Sequence, residues 1–331
     1  MSIERRTLLG GGLALLAGAA AKAQDMPPTP FAGDPAAPFW PARERFPLWP
    51  GTPPGGAPKA KIQPNWTMNV PPPNRELWVR GVPFPEVHVF RPARADGSAI
   101  LSLPGGGYQF LSVQNEGLDV AERFNAERTT VFVLTYRLPG EGWANRGLVA
   151  IQDAQRAMRL IRSRAAEFKI DPERLGVIGF SAGGHLAADL AVSYDQPLYK
   201  PVDAADQLSA RPTFLGLVYP VVTLSDPATH YDATRMFYPS PPPQPEIDAR
   251  SPVLHVSKNT PPTFLVHGAA DNTVPVWHSF RWAEACWKAG VPAELHVFSE
   301  TGHGFGLHIP RDQSGSEWPD LFAIWMRKHG A

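Results

Sequence analysis

The sequence predicts an α/β fold: a mostly parallel central sheet with helices on both faces. Three observations lead there. Short apolar runs alternate along the chain with longer amphipathic stretches. Several of the runs are apolar throughout, as strands covered on both sides are. Turn-forming clusters rich in glycine fall at the ends of those runs, where parallel sheets place their chemistry.

The elements follow in order. Glu86 to Arg91 alternates like a strand, and Ala99 to Leu103 is a second strand that ends in Pro104-Gly105-Gly106-Gly107. Leu118 to Glu127 reads as a helix and Thr130 to Leu134 as a continuous apolar strand. Leu148 to Phe168 reads as one long helix, with Ala154, Ala157, Met158, Ile161, Ala165 and Phe168 on a single face. Leu175 to Phe180 is a strand running straight into Ser181, and Gly183 to Val192 is a helix. Phe214 to Tyr219 is a strand, followed by a proline-rich excursion as far as Pro262. Then come strand Thr263 to His267, helix Val276 to Ala289, strand Ala293 to Phe298 and a closing helix, Glu317 to Lys328.

The chain has 331 residues and a formal charge of zero, so nothing electrostatic argues for nucleic acid or an anionic membrane as partner. Its 38 prolines concentrate in Pro27 to Pro73 and Pro239 to Pro262, and both stretches are expected to be loop-rich. One cysteine, Cys286, excludes an intrachain disulfide and reads as a buried helical thiol between Trp282 and Trp287. Residues 1–23 read as an export signal. Arg5-Arg6 precedes an apolar run, Leu8 to Ala21, and Ala21-Lys22-Ala23 is a cleavage site. The paired arginines resemble a twin-arginine signal, although Glu4 and Gly10 depart from that pattern. The run is short and glycine-rich for a membrane span, and a retained anchor is the alternative. The expected organisation is therefore a signal at 1–23, a proline-rich, extended segment at 24–45, and a domain at 46–331 with an insertion at about 221–262. The expected location is the periplasm or the medium, with no stable membrane insertion after cleavage.

Gly179-Phe180-Ser181-Ala182-Gly183 lies between a strand and a helix. A serine there is pushed out above the sheet by a sharp turn in which flanking side chains would collide, so Ser181 is the candidate nucleophile. The helix behind it points its N-terminus at a developing oxyanion. The three glycines before Tyr108 let backbone N–H groups approach a substrate, and with the N–H of Ala182 they form a candidate oxyanion hole. Asp271 lies just past the strand ending at His267. His303 lies in a glycine-rich turn past Phe298, with His308 its near competitor. The chain order Ser, Asp, His is that of one serine-hydrolase fold and not of the others. His267 and His296 lie inside strands and read as packed or hydrogen-bonded groups. His185 and Tyr108 flank the two motifs and are candidate substrate contacts. No zinc-ligand motif or cysteine cluster is present, and no cofactor or metal is expected.

Together these residues resemble the esterase/lipase-like branch of the α/β-hydrolases that includes bacterial acetyl esterases and acetylxylan-esterase-like proteins. Tyr108, Glu116-Gly117, Tyr136-Arg137-Leu138, Gln152 to Ala157, Thr260 to Phe264 and Gly302 to Gly306 also carry the resemblance. It implies acyl-ester hydrolysis without a cofactor. It maps the nucleophile to Ser181, the acid to Asp271, the base to His303, and the oxyanion donors to Gly106, Gly107 and Ala182. Related lipases often have His before the three glycines; here the residue is Pro104.

The expectation is an exported serine esterase acting on short acyl esters such as acetylated xylo-oligosaccharides. An amide or peptide hydrolase on the same triad, arylformamidase-like or a small exopeptidase, is the alternative. A non-catalytic binding protein of the same fold is the third reading. The segment Leu224 to Pro262, rich in proline and charge, is a poor amphipathic lid for a lipid interface. Its Tyr231, Phe237 and Tyr238, with Trp143 and Trp277 elsewhere, are aromatics that could face sugar rings.

Overall fold

The computed structural model describes residues 40–56, 58, 61–68, 76–225 and 243–331. The signal at 1–23, the proline-rich segment as far as residue 39, and Tyr231, Phe237 and Tyr238 lie outside the described residues.

The strands are β1 (Arg45–Pro47), β2 (Asn65–Met68), β3 (Leu77–Arg80), β4 (Glu86–Phe90), β5 (Ala99–Leu103), β6 (Leu111–Ser112), β7 (Thr130–Thr135), β8 (Leu175–Phe180), β9 (Leu215–Val218), β10 (Thr263–Gly268) and β11 (Ala293–Phe298). Eight of them form one sheet in the order β1-β4-β7-β5-β8-β9-β10-β11. Its two antiparallel pairings are β1 with β4 and β4 with β7, so β4 alone runs against the other strands; from β7 to β11 every pairing is parallel. This is the α/β-hydrolase arrangement.

The helices are α1 (Asp119–Ala126), α2 (Val149–Ser163), α3 (Ala165–Phe168), α4 (Ser181–Ser193), α5 (Gln244–Ala249), α6 (Trp277–Lys288) and α7 (Trp318–Lys328). Strands β5, β7, β8, β9 and β10 are buried along their whole length, which their apolar composition requires. Their side chains alternate between two cores. Leu101, Leu103, Val177 and Leu217 pack on the side of α2, α4 and α6, and Ile100, Ile178, Phe180 and Val218 on the side of α1 and α7. Strand β11 is one edge of the sheet, opposite β1, and it carries the polar Glu294 and His296 that an edge tolerates. Cys286 is buried in α6, as expected, and burial pushes its thiol up to about 12.

Three features differ from the expectations. The helix foreseen from Leu148 to Phe168 is broken at Arg164, and Lys169 ends α3 in the left-handed region (φ 56°). The packed domain begins before residue 46: Trp40 and Ala42 are buried, and the Trp40 ring lies 4.0 Å from that of His88. A small antiparallel sheet, β2-β3-β6, stands partly within the proline-rich stretch expected to be loop. Its β-branched and aromatic residues, Trp66, Thr67, Trp78 and Val79, pair across strands that lie between the prolines.

The connectivity positions the site. The chain leaves β5 to build β7 on one side and returns to build β8 on the other. Loops leaving the carboxyl ends of β5 and β8 therefore diverge and open a crevice at this switch point. The register sets Leu103 beside Gly179, which brings Gly105 next to Ser181. On the other flank Phe180 pairs with Val218, Val218 with Val266, and Gly268 with Phe298. The segments holding Asp271 and His303 thus leave the same end of the sheet as Ser181.

Candidate active site

Ser181 sits at the turn from β8 into α4 with φ of 51°, a left-handed backbone rare for a residue with a side chain. The turn is closed so tightly that its glycines have no room for a Cβ. One on Gly179 would lie 2.3 Å from Gly183 O, and one on Gly183 would lie 2.0 Å from Leu103 O. The helix begins at Ser181 itself, two residues earlier than the sequence indicates, so Ala182 N–H belongs to the first turn, where no preceding carbonyl claims it.

A relay runs away from Ser181. Its Oγ lies 2.8 Å from His303 Nε2, and His303 Nδ1 lies 2.7 Å from Asp271 Oδ2. The carboxylate oxygen can only accept, so Nδ1 carries the proton and Nε2 is free to accept from the serine hydroxyl. Asp271 is buried and fully engaged: Thr273 N–H and Val274 N–H both donate to Oδ1 at 2.8 Å, and His267 Nε2 lies 3.2 Å from Oδ2. Burial pushes this carboxyl up, but the hydrogen bonds from His267, His303 and Val274 outweigh it and hold the group well below the usual carboxylate range. The competitor His308 is instead bonded to Asp119 at 2.7 Å.

The glycine loop lies against the nucleophile. A Cβ on Gly105 would be 3.0 Å from Ser181 Cβ and 2.6 Å from Phe180 O. Gly105 N–H donates to Glu116 Oε2 at 2.5 Å, so it is not available to a substrate. Gly106 and Gly107 adopt φ of 122° and 60°; the first needs glycine, since a Cβ there would also lie 2.2 Å from Phe110 O, and the second favours it. The carbonyls of Gly105 and Gly106 are bonded within the loop to Ser112, Gln109 and Phe110 N–H.

The two candidate substrate contacts, Tyr108 and His185, are buried against each other. Tyr108, at φ 58°, turns its ring inward, where it is buried, and its hydroxyl lies 2.7 Å from His185 Nδ1. His185 is equally buried, with Nε2 2.8 Å from Arg250 O. Since a carbonyl accepts, Nε2 donates and Nδ1 receives the tyrosine proton; burial lowers the pKa of this ring. The pair joins the glycine loop to α4. Trp143 is also buried, beneath the Arg137 guanidinium 5.0 Å from its ring, and cannot stack on a sugar. Trp277 is 65 % exposed at the start of α6, the helix that follows the Asp271 loop.

Three further residues belong to the site: His267, whose Nε2 lies 2.9 Å from Val274 O and 3.2 Å from Asp271 Oδ2; Glu116; and Tyr219, whose ring centroid lies 4.9 Å from that of His303. Two signals were present in the sequence. His267 ends an apolar strand where a polar group needs a partner, and Glu116 is a lone acid shortly after the glycine loop.

The BD-FAE family matches residues 88–285. Endo-1,4-beta-xylanase B of Butyrivibrio fibrisolvens is 33 % identical over 219 residues, which is 66 % of this chain and 34 % of that protein. Acetylxylan esterase of Xylanibacter ruminicola is 29 % identical over 224 residues, 66 % of this chain and 43 % of that one. The chain thus spans well under half the length of these two relatives. Among solved structures, the acetyl ester-xyloside bifunctional hydrolase from Caldicellulosiruptor lactoaceticus superposes with a TM-score of 0.67 at 34 % identity, over 74 % of this chain and 88 % of that one.

Proposed function

The chain belongs to the BD-FAE family, and on that premise we propose that it is a serine carboxylic-ester hydrolase acting on short acyl esters, acetylated oligosaccharides among them. The observation that carries the reading is the unbroken relay from Ser181 through His303 to Asp271, beside a glycine loop packed so close that a Cβ on Gly105 would come within 3.0 Å of Ser181 Cβ. His303 Nε2 takes the proton of Ser181 Oγ as that oxygen attacks the ester carbonyl. The charge that moves onto the carbonyl oxygen meets the N–H groups of Gly106, Gly107 and Ala182. His303 then returns the proton to the leaving alcohol, and an acyl-enzyme remains. Water, activated by the same imidazole, releases the acid and restores the serine. A complete relay also weighs against a non-catalytic binding protein.

Pro104 replaces the histidine common in lipases, and the segment Leu224 to Pro262 has the wrong composition for a lipid lid. Trp277, with Phe280 5.5 Å away centroid to centroid, offers an exposed aromatic face beyond the Asp271 loop. Relatives named for xylan and xyloside chemistry point the same way. We also propose a periplasmic or secreted location, on the strength of Arg5-Arg6 and Ala21-Lys22-Ala23. N-terminal sequencing of the exported protein should begin at Gln24.

The test is covalent labelling. A serine-reactive phosphonate should modify the protein once, at Ser181, and abolish acetate release from 4-nitrophenyl acetate and acetylated xylo-oligosaccharides. Modification at another residue, or undiminished turnover by Ser181→Ala, would overturn the assignment. Acetanilide turnover measured beside the ester separates esterase from amidase.

A further inference from the structure

Glu116 is a buried carboxyl, 4 % exposed, with no part in the chemistry above. It stands in a π-helical turn, Gln114–Leu118, that follows the glycine loop, and such turns recur where function has reshaped a helix. One oxygen, Oε2, accepts Gly105 N–H at 2.5 Å, while Oε1 accepts the Tyr219 hydroxyl at 2.8 Å. The Tyr219 oxygen in turn accepts Gly306 N–H at 3.0 Å, three residues beyond His303. The Tyr219 ring packs on His303 and on Phe305, with centroids 4.9 Å and 4.5 Å apart. The two segments also lie close together: a Cβ added at Gly306 would come within 3.3 Å of Asn115 Cβ.

We propose that Glu116 is a positioning residue that, through Tyr219, ties the glycine loop to the loop carrying His303 and so sets the spacing between the oxyanion donors and the general base. The proposal rests on the ester-hydrolase reading of the site. The physical ground is that both halves act in one step: the proton arrives on His303 as negative charge arrives at the loop. Catalytic groups lose their effect when they drift by a fraction of an ångström. A carboxylate is the one side chain that can accept from both segments at once with two separate oxygens. Burial raises its carboxyl to about 7, against the pull of Gly105 N–H, Tyr219 OH and His303, so it is held there at an electrostatic cost that an apolar filler would avoid.

The experiment uses Tyr219→Phe, which keeps the ring on His303 and removes only the hydroxyl, together with Glu116→Gln and the double variant. On 4-nitrophenyl acetate each single variant should lower kcat about tenfold or more while KM stays within about threefold. The double variant should fall no further than about twofold below the worse single one, because both cut the same chain. Amide hydrogen exchange gives a readout independent of turnover: in each single variant it should quicken about tenfold at both Gly105 and Gly306, although each substitution touches only one of them directly. Exchange that quickens only at the directly bonded amide, losses that multiply in the double variant, or a change confined to KM would overturn the proposal. A wild-type protein that hydrolyses no ester would instead defeat the functional reading, and the exchange data would still decide the tie.

Discussion

Replacing Asp271 by Asn tests the relay with almost no change of volume. Asp271 Oδ1 accepts two backbone N–H groups, from Thr273 and Val274, each at 2.8 Å. The amide oxygen of Asn must stay there, since its NH₂ would confront two buried donors. The NH₂ is therefore forced into the place of Oδ2, 2.7 Å from His303 Nδ1. Two donors cannot face each other at that distance, so His303 must adopt the tautomer with its proton on Nε2. That nitrogen then donates toward Ser181 and cannot accept the hydroxyl proton. The imidazolium that forms during attack also loses its counter-charge. Loss of the correct tautomer in such a triad lowers kcat by about 10⁴, or about 5.4 kcal/mol at 1.36 kcal/mol per decade. The assay is kcat on 4-nitrophenyl acetate, with the thermal midpoint measured in parallel to show that the variant is folded. A folded Asp271→Asn enzyme retaining more than about a tenth of wild-type kcat would refute the reasoning, because another acid would then be orienting His303.

Three further outcomes are expected. Tyr108→Phe leaves His185 Nδ1 buried without its donor, so it should cost about 1–3 kcal/mol of stability while leaving KM for short esters unchanged; a raised KM would return Tyr108 to the substrate. The Glu116 carboxyl, faced by Tyr136, Tyr219, His303 and Glu76, has its pKa raised from 4.5 to about 7 in the folded protein. The folded state thus holds a proton that the unfolded chain has released, and the contribution is full below about 4.5 and lost as pH rises through about 7, amounting to at most about 3 kcal/mol. Urea midpoints at pH 5 and pH 8 should therefore drop more for wild type than for Glu116→Gln, and equal drops would count against it. Acetyl and propionyl esters should be cleaved with higher kcat/KM than octanoyl esters; long-chain preference or activation at an oil–water interface would remove the short-ester proposal.

Much of the fold was legible because its determinants are short-range. Strands buried on both faces are largely apolar, and Ala99–Leu103 and Leu175–Phe180 begin and end where the sequence says they do, as does the edge strand Ala293–Phe298. The nucleophile turn was equally plain. Its glycines answer to clashes, at 2.3 Å and 2.0 Å, that any side chain there would create, and local sterics leave a local pattern. Asp271 and His303 could be found because each sits in a turn just past a strand, and parallel strands deliver such turns to one end of the sheet.

What the tertiary structure alone decided is which way polar side chains face and which distant ones meet. Tyr108 and His185 stand beside catalytic motifs, yet the left-handed backbone at Tyr108 and the packing of α4 turn them toward each other, 77 positions apart in the chain. Glu116 and Tyr219, 103 positions apart, are joined only because β5 and β9 flank β8. His267 reads as an ordinary strand residue until the loop after it folds back and sets Asp271 3.2 Å from its Nε2. The division has one physical reason. Backbone sterics and the burial of strands act over a few neighbouring residues and leave periodic or glycine-marked traces in the sequence. A buried polar group needs only some partner, and chain topology decides which one reaches it.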